Sequence, residues 1–242
     1  MEITKKEVRN IIIVAFIAAF VLSINEWGID SFDLSLGISN LLASFIFCLV
    51  IYSFYVFAQK LTARYYEYDV SFEIMQIKKK IREVRRTINI PIGPIITFLI
   101  TFISAGKFFF IFLNSFELVA KKELRTGRKW TGIKECEEAQ VGLSGPLSLV
   151  LLLIIFKIMS SVYPLFEKGM FLASTIMIFN LLPIPKADGS RVFFGSRALY
   201  LTGLIFSLVF ILLIFYLSII QSIILALILA VAVGVAYLYK SS

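Results

Sequence analysis

An all-α, polytopic membrane protein is the fold class this sequence predicts, on three observations. The chain of 242 residues is 59% hydrophobic, where soluble domains average about 45–50% apolar, and its mean hydropathy is +0.90. Several apolar runs approach or exceed the roughly 18–20 residues that cross a bilayer as helix. The cations gather between those runs, as Lys and Arg do at the cytoplasmic ends of membrane helices. The expectation is a single membrane domain over 1–242, with about six transmembrane helices, one re-entrant segment and a short cytoplasmic β element.

The first span is expected from about Asn10 to Ile24, behind Lys5, Lys6 and Arg9. No small-residue cleavage site follows it, so it reads as an anchor and not as a cleavable signal. A loop with Glu26, Asp30 and Asp33 but no Lys or Arg leads to a second span, Ile38 to Leu61. Between Ala63 and Thr87 lie seven cations: Arg64, Lys78, Lys79, Lys80, Arg82, Arg85 and Arg86. Within that stretch Tyr68 to Ile74 alternates polar and apolar residues, the period of a strand. The remainder reads as a basic surface helix. Ile88 to Leu113 is apolar but broken by Pro91, Gly93, Pro94, Gly106 and Lys107. After a second basic loop (Lys121, Lys122, Arg125, Arg128, Lys129, Lys134), spans are expected at Val141–Met159 and Met170–Leu182. Ala198 to Tyr239 is apolar for 42 residues, which exceeds one bilayer. It divides into a C-terminal helix pair near Ser218–Ser222.

With the N-terminus inside, the acidic loop faces out and the Ala63–Thr87 stretch faces in, as the charge rule asks. Ile88–Leu113 must then dip and return to keep the following cations inside; its Pro and Gly breaks suit a re-entrant segment shielded by protein. Both termini are then cytoplasmic. The formal net charge of +8 follows from this topology, and no nucleic-acid module accompanies the cations, so no nucleic-acid partner is expected. Cys48 lies in an apolar run and Cys136 in a polar stretch; two cysteines make neither a disulfide framework nor a four-thiolate zinc site.

Three stretches carry a family resemblance. Tyr55-Val56-Phe57-Ala58-Gln59-Lys60-Leu61-Thr62-Ala63-Arg64-Tyr65-Tyr66 closes the second span. Gly142-Leu143-Ser144-Gly145-Pro146-Leu147 opens a later one. Asn180-Leu181-Leu182-Pro183-Ile184-Pro185-Lys186-Ala187-Asp188-Gly189 ends a third. In this order they resemble the motifs of the site-2 protease family of intramembrane zinc metalloproteases, over about 38–197. The resemblance implies that Tyr55 and Gln59 stand where the family has the two histidines of His-Glu-x-x-His, that Val56 stands at its glutamate, and that Asp188 holds its aspartate ligand position. Phe116-Glu117-Leu118-Val119-Ala120 also imitates that motif and keeps a glutamate, but it follows the interrupted segment.

The chain contains no histidine. A catalytic zinc needs about three protein ligands and an open position for water, and two histidines four apart on a helix share a face and reach one ion. Tyr and Gln bind zinc poorly, Val takes no proton, and Asp188 supplies one ligand. Without metal, the pKa of water is not lowered toward 7. The expected function is therefore a catalytically inactive site-2-protease-like protein, with no catalytic residue, metal or other cofactor. It would bind a transmembrane segment or partner membrane protein within the bilayer, through a cleft containing Gly145, Pro146, Asn180, Pro183 and Asp188.

Two other readings stay open. One is an active metalloprotease with an atypical site using Asp188 and Cys48. The other is a small transporter or channel, for which Lys107 and Asp188 are the candidate lining charges. Individual side chains carry structural expectations as well. Asp188 reads as a turn and N-cap residue with Arg191 or Lys186 as its counter-charge. Asn180 suits either a substrate backbone or an interhelical hydrogen bond. Gln59 reads as polar glue between helices, Lys78 to Arg86 as a topology anchor, and Glu135, Glu137 and Glu138 as a solvated loop.

Overall fold

The computed structural model describes residues 3–27, 33–81, 86–120 and 133–241, and the chain divides into two compact units. The first comprises 1–52 and 71–117, the second 53–70 and 118–242.

In the first unit, helix α1 spans Lys5–Leu22 and helix α2, Leu34–Tyr65, begins. Thr4 and Glu7 form a capping box at the start of α1, each satisfying an amide that the first helical turn leaves open. Ile11, Val14, Ala15, Ala18, Ala19 and Leu22 are buried, the three-and-four spacing of one helix face. Three strands follow: β1 (Tyr68–Ile74), whose first three residues belong to the second unit, β2 (Ile77–Ile81) and β3 (Arg86–Ile90). β2 and β3 are antiparallel, with Ile77 opposite Ile90 and Ile81 opposite Arg86. The expected basic surface helix is therefore a correction. The isoleucines and the threonine of Ile-Lys-Lys-Lys-Ile and Arg-Thr-Ile-Asn-Ile favour a pleated pair. The expected loop cations Arg82 and Arg85 lie outside the described residues.

β1 is held on α1. The Glu7 carboxylate accepts the Phe72 amide at 3.3 Å, Asn10 donates to the Phe72 carbonyl at 3.1 Å, and Lys6 pairs with Glu73 at 2.8 Å.

Helix α3 covers Ile92–Ile103, and strand β4, Asn114–Ala120, pairs with β1. The segment containing α3 leaves from and returns to one place. The Gly93 amide donates to the Met75 carbonyl at 3.1 Å, and the Met75 amide donates to the Leu113 carbonyl at 2.8 Å. A Cβ on Gly93 would sit 2.2 Å from the Phe112 carbonyl, and Thr97 Oγ1 accepts the Phe112 amide at 3.1 Å. The chain reverses after α3 through Ala105 and Gly106, both at positive φ. β4 carries the Phe116–Ala120 imitation of the metal motif. Residues four apart there are about 13 Å apart along a strand, so that frame offers no shared helical face.

The second unit contains the end of α2 and helices α4 (Glu135–Ser160), α5 (Leu165–Leu181), α6 (Asp188–Gly195), α7 (Arg197–Ile214) and α8 (Ile219–Ser241). Helices α4, α5 and α6 pack together, and α7 pairs with α8. Glu135, Glu137 and Glu138 open α4 and do not form the expected solvated loop; acidic side chains in a first turn complement the helix dipole. The apolar C-terminal stretch divides at 215–218, as its length required. The cations Lys121, Lys122, Arg125, Arg128 and Lys129 lie outside the described residues.

Among the described residues, α2, α4, α7 and α8 are long and apolar enough to cross a membrane. The protein is thus mostly helical, with four candidate spans and a small amount of antiparallel sheet. The other two expected spans differ from these. α1 carries Lys5, Lys6, Glu7 and Arg9, and α5 is 17 residues long.

Candidate functional site

Tyr55 and Gln59 lie one turn apart near the end of α2, so both side chains leave the same face. Both are buried, and so is Asp188 at the start of α6. The Tyr55 hydroxyl donates to Asp188 Oδ2, and Gln59 Nε2 donates to the same oxygen at 2.7 Å. Gly145 of α4 completes the cluster. A Cβ there would lie 2.5 Å from the Tyr55 ring and 3.0 Å from Gln59 Nε2, so only glycine lets α4 approach this closely. Val56 is buried as well. Positions 55, 59, 145 and 188, drawn from three separate stretches of sequence, thus meet at one point of the second unit.

The Asn180–Gly189 stretch makes this meeting possible. α5 stops at Leu181, where Leu182 turns extended ahead of Pro183, the conformation favoured before proline. Pro183 itself is exposed, away from the buried cluster. Lys186 adopts φ 71°, and α6 starts at Asp188. Gly189 lets α6 abut the end of α5: a Cβ there would sit 2.3 Å from the Leu181 carbonyl. Asn180 turns its amide back onto the Ile176 carbonyl at 2.8 Å, within its own helix. Pro146 lies inside α4, where it gives up one rung of the ladder. The Ser144 and Ser148 hydroxyls bond back to Val141 and Gly145 carbonyls at 2.7 and 2.6 Å.

The expected N-cap role of Asp188 is a correction. Ala187 occupies that position and no side chain caps α6, because the Asp188 carboxylate is directed to α2 instead. Arg191, one of its two expected counter-charges, does act on Asp188 through its charge and also forms an ion pair with Glu138 of α4. The start of α4 is tied further, with Tyr66 donating to Gln140 and Tyr68 to Glu137 at 2.6 Å.

Burial pushes the Asp188 carboxyl up from 3.8 to about 6, against the opposing pull of the Tyr55 hydroxyl, the Arg191 charge and the Gln59 amide. Two acceptor atoms in the cluster have no hydrogen-bond partner among the described residues, Asp188 Oδ1 and Gln59 Oε1.

The donor set does not fit a catalytic zinc. Tyr55 and Gln59 direct hydrogens, not lone pairs, at Asp188, and zinc is held by imidazole nitrogen, thiolate or carboxylate oxygen. Among the described residues, no group of three or more Cys, Asp or Glu side chains could hold a metal ion, and histidine is absent from the sequence. What this arrangement can do chemically is join α2 to α6 by hydrogen bonds and take up or release a proton.

The sequence signalled the pairing faintly, through a tyrosine and a glutamine four apart in an otherwise apolar run. It gave no signal for the Arg191–Glu138 pair, which joins residues 53 positions apart. Compared with models of protein families, with curated proteins and with solved structures, the chain matches none.

Proposed function

We propose that this chain is a catalytically inactive, site-2-protease-like membrane protein that binds a transmembrane segment or a partner membrane protein. The observation that carries this reading is the meeting of Tyr55, Gln59, Gly145 and Asp188. Those positions belong to the three stretches that resemble the family's motifs, and hydrogen bonds join three of them. Loss of the ligands removes hydrolysis while leaving the helices and their surfaces, so recognition is the activity most readily retained. The bilayer supplies the setting, with six spans, both termini cytoplasmic and 88–113 re-entrant. The return of that segment to Met75 supports the last point, as does the length of α3, whose 12 residues cover about 18 Å, well short of the roughly 30 Å hydrocarbon core.

Phe57 and Leu61, on the face of α2 turned away from Tyr55 and Gln59, are 51% and 57% exposed, and a large apolar surface of this kind supports contact with a client helix. A photo-crosslinker at Phe57 is expected to capture a membrane protein in native membranes. The purified protein is expected to leave a panel of transmembrane test substrates intact. Asp188-dependent cleavage of any of them would replace this reading with that of a working protease.

A further inference from the structure

The Asp188 cluster has a mismatch in its hydrogen-bond inventory. Both of its donors, the Tyr55 hydroxyl and the Gln59 amide, are spent on a single oxygen, Asp188 Oδ2. Two acceptors, Asp188 Oδ1 and Gln59 Oε1, are buried without a partner. A buried polar atom left unpaired is costly, so two in one cluster mark a missing donor. The missing hydrogen need not come from a ligand of any size. Carboxylic acid and primary amide are complementary: the amide N–H meets one carboxyl oxygen while the acid O–H meets the amide oxygen.

We propose that Asp188 and Gln59 form a proton-binding pair, in which the neutral acid donates from Oδ1 to Oε1 of Gln59 while Oδ2 continues to accept from Nε2. One proton taken from water satisfies both orphaned atoms and removes the buried charge. When the proton leaves, the same two atoms lose their partner and α2 is held to α6 by the two bonds to Oδ2 alone. The pair is thus a proton-operated latch between the two helices.

The surroundings fit a site that binds a proton in preference to a charged ligand. From α2, the facing groups are Tyr55 and Gln59. From α4, Gly145 presents backbone and no side chain. On α6 itself Arg191 favours the ionised acid, but it is shared with Glu138. The end of α5 presents the Leu181 and Leu182 carbonyls to Gly189, which add no titrating group. Desolvation is the largest influence on the carboxyl and it favours the neutral form. This inference stands on the cluster alone and does not depend on whether a client is bound.

The chain has four aspartates, Asp30, Asp33, Asp69 and Asp188, which makes a direct titration practical. With carboxyl-13C aspartate incorporated into the full-length protein in lipid vesicles, one resonance is expected to titrate near pH 6. Asp188→Asn is expected to delete the high-titrating signal. It places an amide donor where the acid proton would be, so its melting temperature at pH 5 should equal the wild type's and should stay flat up to pH 8. Four aspartate signals that all titrate in the ordinary range would overturn the proposal, using the wild-type protein alone. So would an Asp188→Asn protein that melts well below the wild type at pH 5.

Discussion

A tyrosine hydroxyl and a glutamine amide converge on one carboxylate oxygen, and the energy of that contact depends on whether the carboxyl is charged. Asp188 is fully buried and titrates near 6 instead of 3.8. Its folded value is raised, so the folded state binds the proton more tightly than the unfolded chain does. Stability from this group is therefore fully present below about pH 4 and declines as pH rises through 6. The whole effect is roughly 3 kcal/mol, taking about 1.4 kcal/mol for each pH unit. Tyr55 donates to the ionised form and so opposes the rise. Tyr55→Phe is expected to move the Asp188 titration further up and to destabilise the protein by about 1–3 kcal/mol at pH 8. The loss at pH 5 should be smaller, and melting curves at the two pH values check this. An equal loss at both would mean that Tyr55 acts through packing and not through the carboxylate.

The helices that carry the cluster were readable in the sequence to different degrees. The long apolar runs gave α2, α4, α7 and α8, because length and hydropathy are properties of the segment itself. The strand at Tyr68–Ile74 followed from strict alternation. The β2–β3 pair did not, since its lysines hid the strand-forming isoleucines on either side and pairing depends on a partner outside the window. The site was legible in part: Tyr55, Gln59, Gly145 and Asp188 were marked, but as relics around a lost metal. That Asp188 would turn away from its own helix terminus to bond α2 is a tertiary choice, set by the approach of α4 at Gly145 and of α5 at Gly189. Gly145→Val tests that approach. Its Cβ would meet the Tyr55 ring at 2.5 Å, and overpacking of this kind costs about 1–3 kcal/mol. The expected result is a lower melting temperature with loss of the high-titrating carboxyl; an unchanged titration would show that α4 does not hold the cluster shut.

At the scale of the whole molecule, composition and charge placement are those of a membrane protein, with four helices among the described residues suited to span a bilayer and cations between the apolar runs. The proposed topology, with the N-terminus inside and 88–113 re-entrant, puts the cations that follow on the cytoplasmic side. A cysteine at Lys129, in a protein with Cys48 and Cys136 replaced by serine, is expected to resist a membrane-impermeant thiol reagent in intact cells and to react after lysis. The proposed function requires that Tyr55, Gln59 and Asp188, which hydrogen bonds join, hold no catalytic metal. The most direct measurement is the zinc content of protein purified without chelators, compared with Asp188→Ala prepared alongside. Zinc far below one ion per chain in both proteins is the expected result. Close to one zinc per chain in the wild type, lost in Asp188→Ala, would contradict the account.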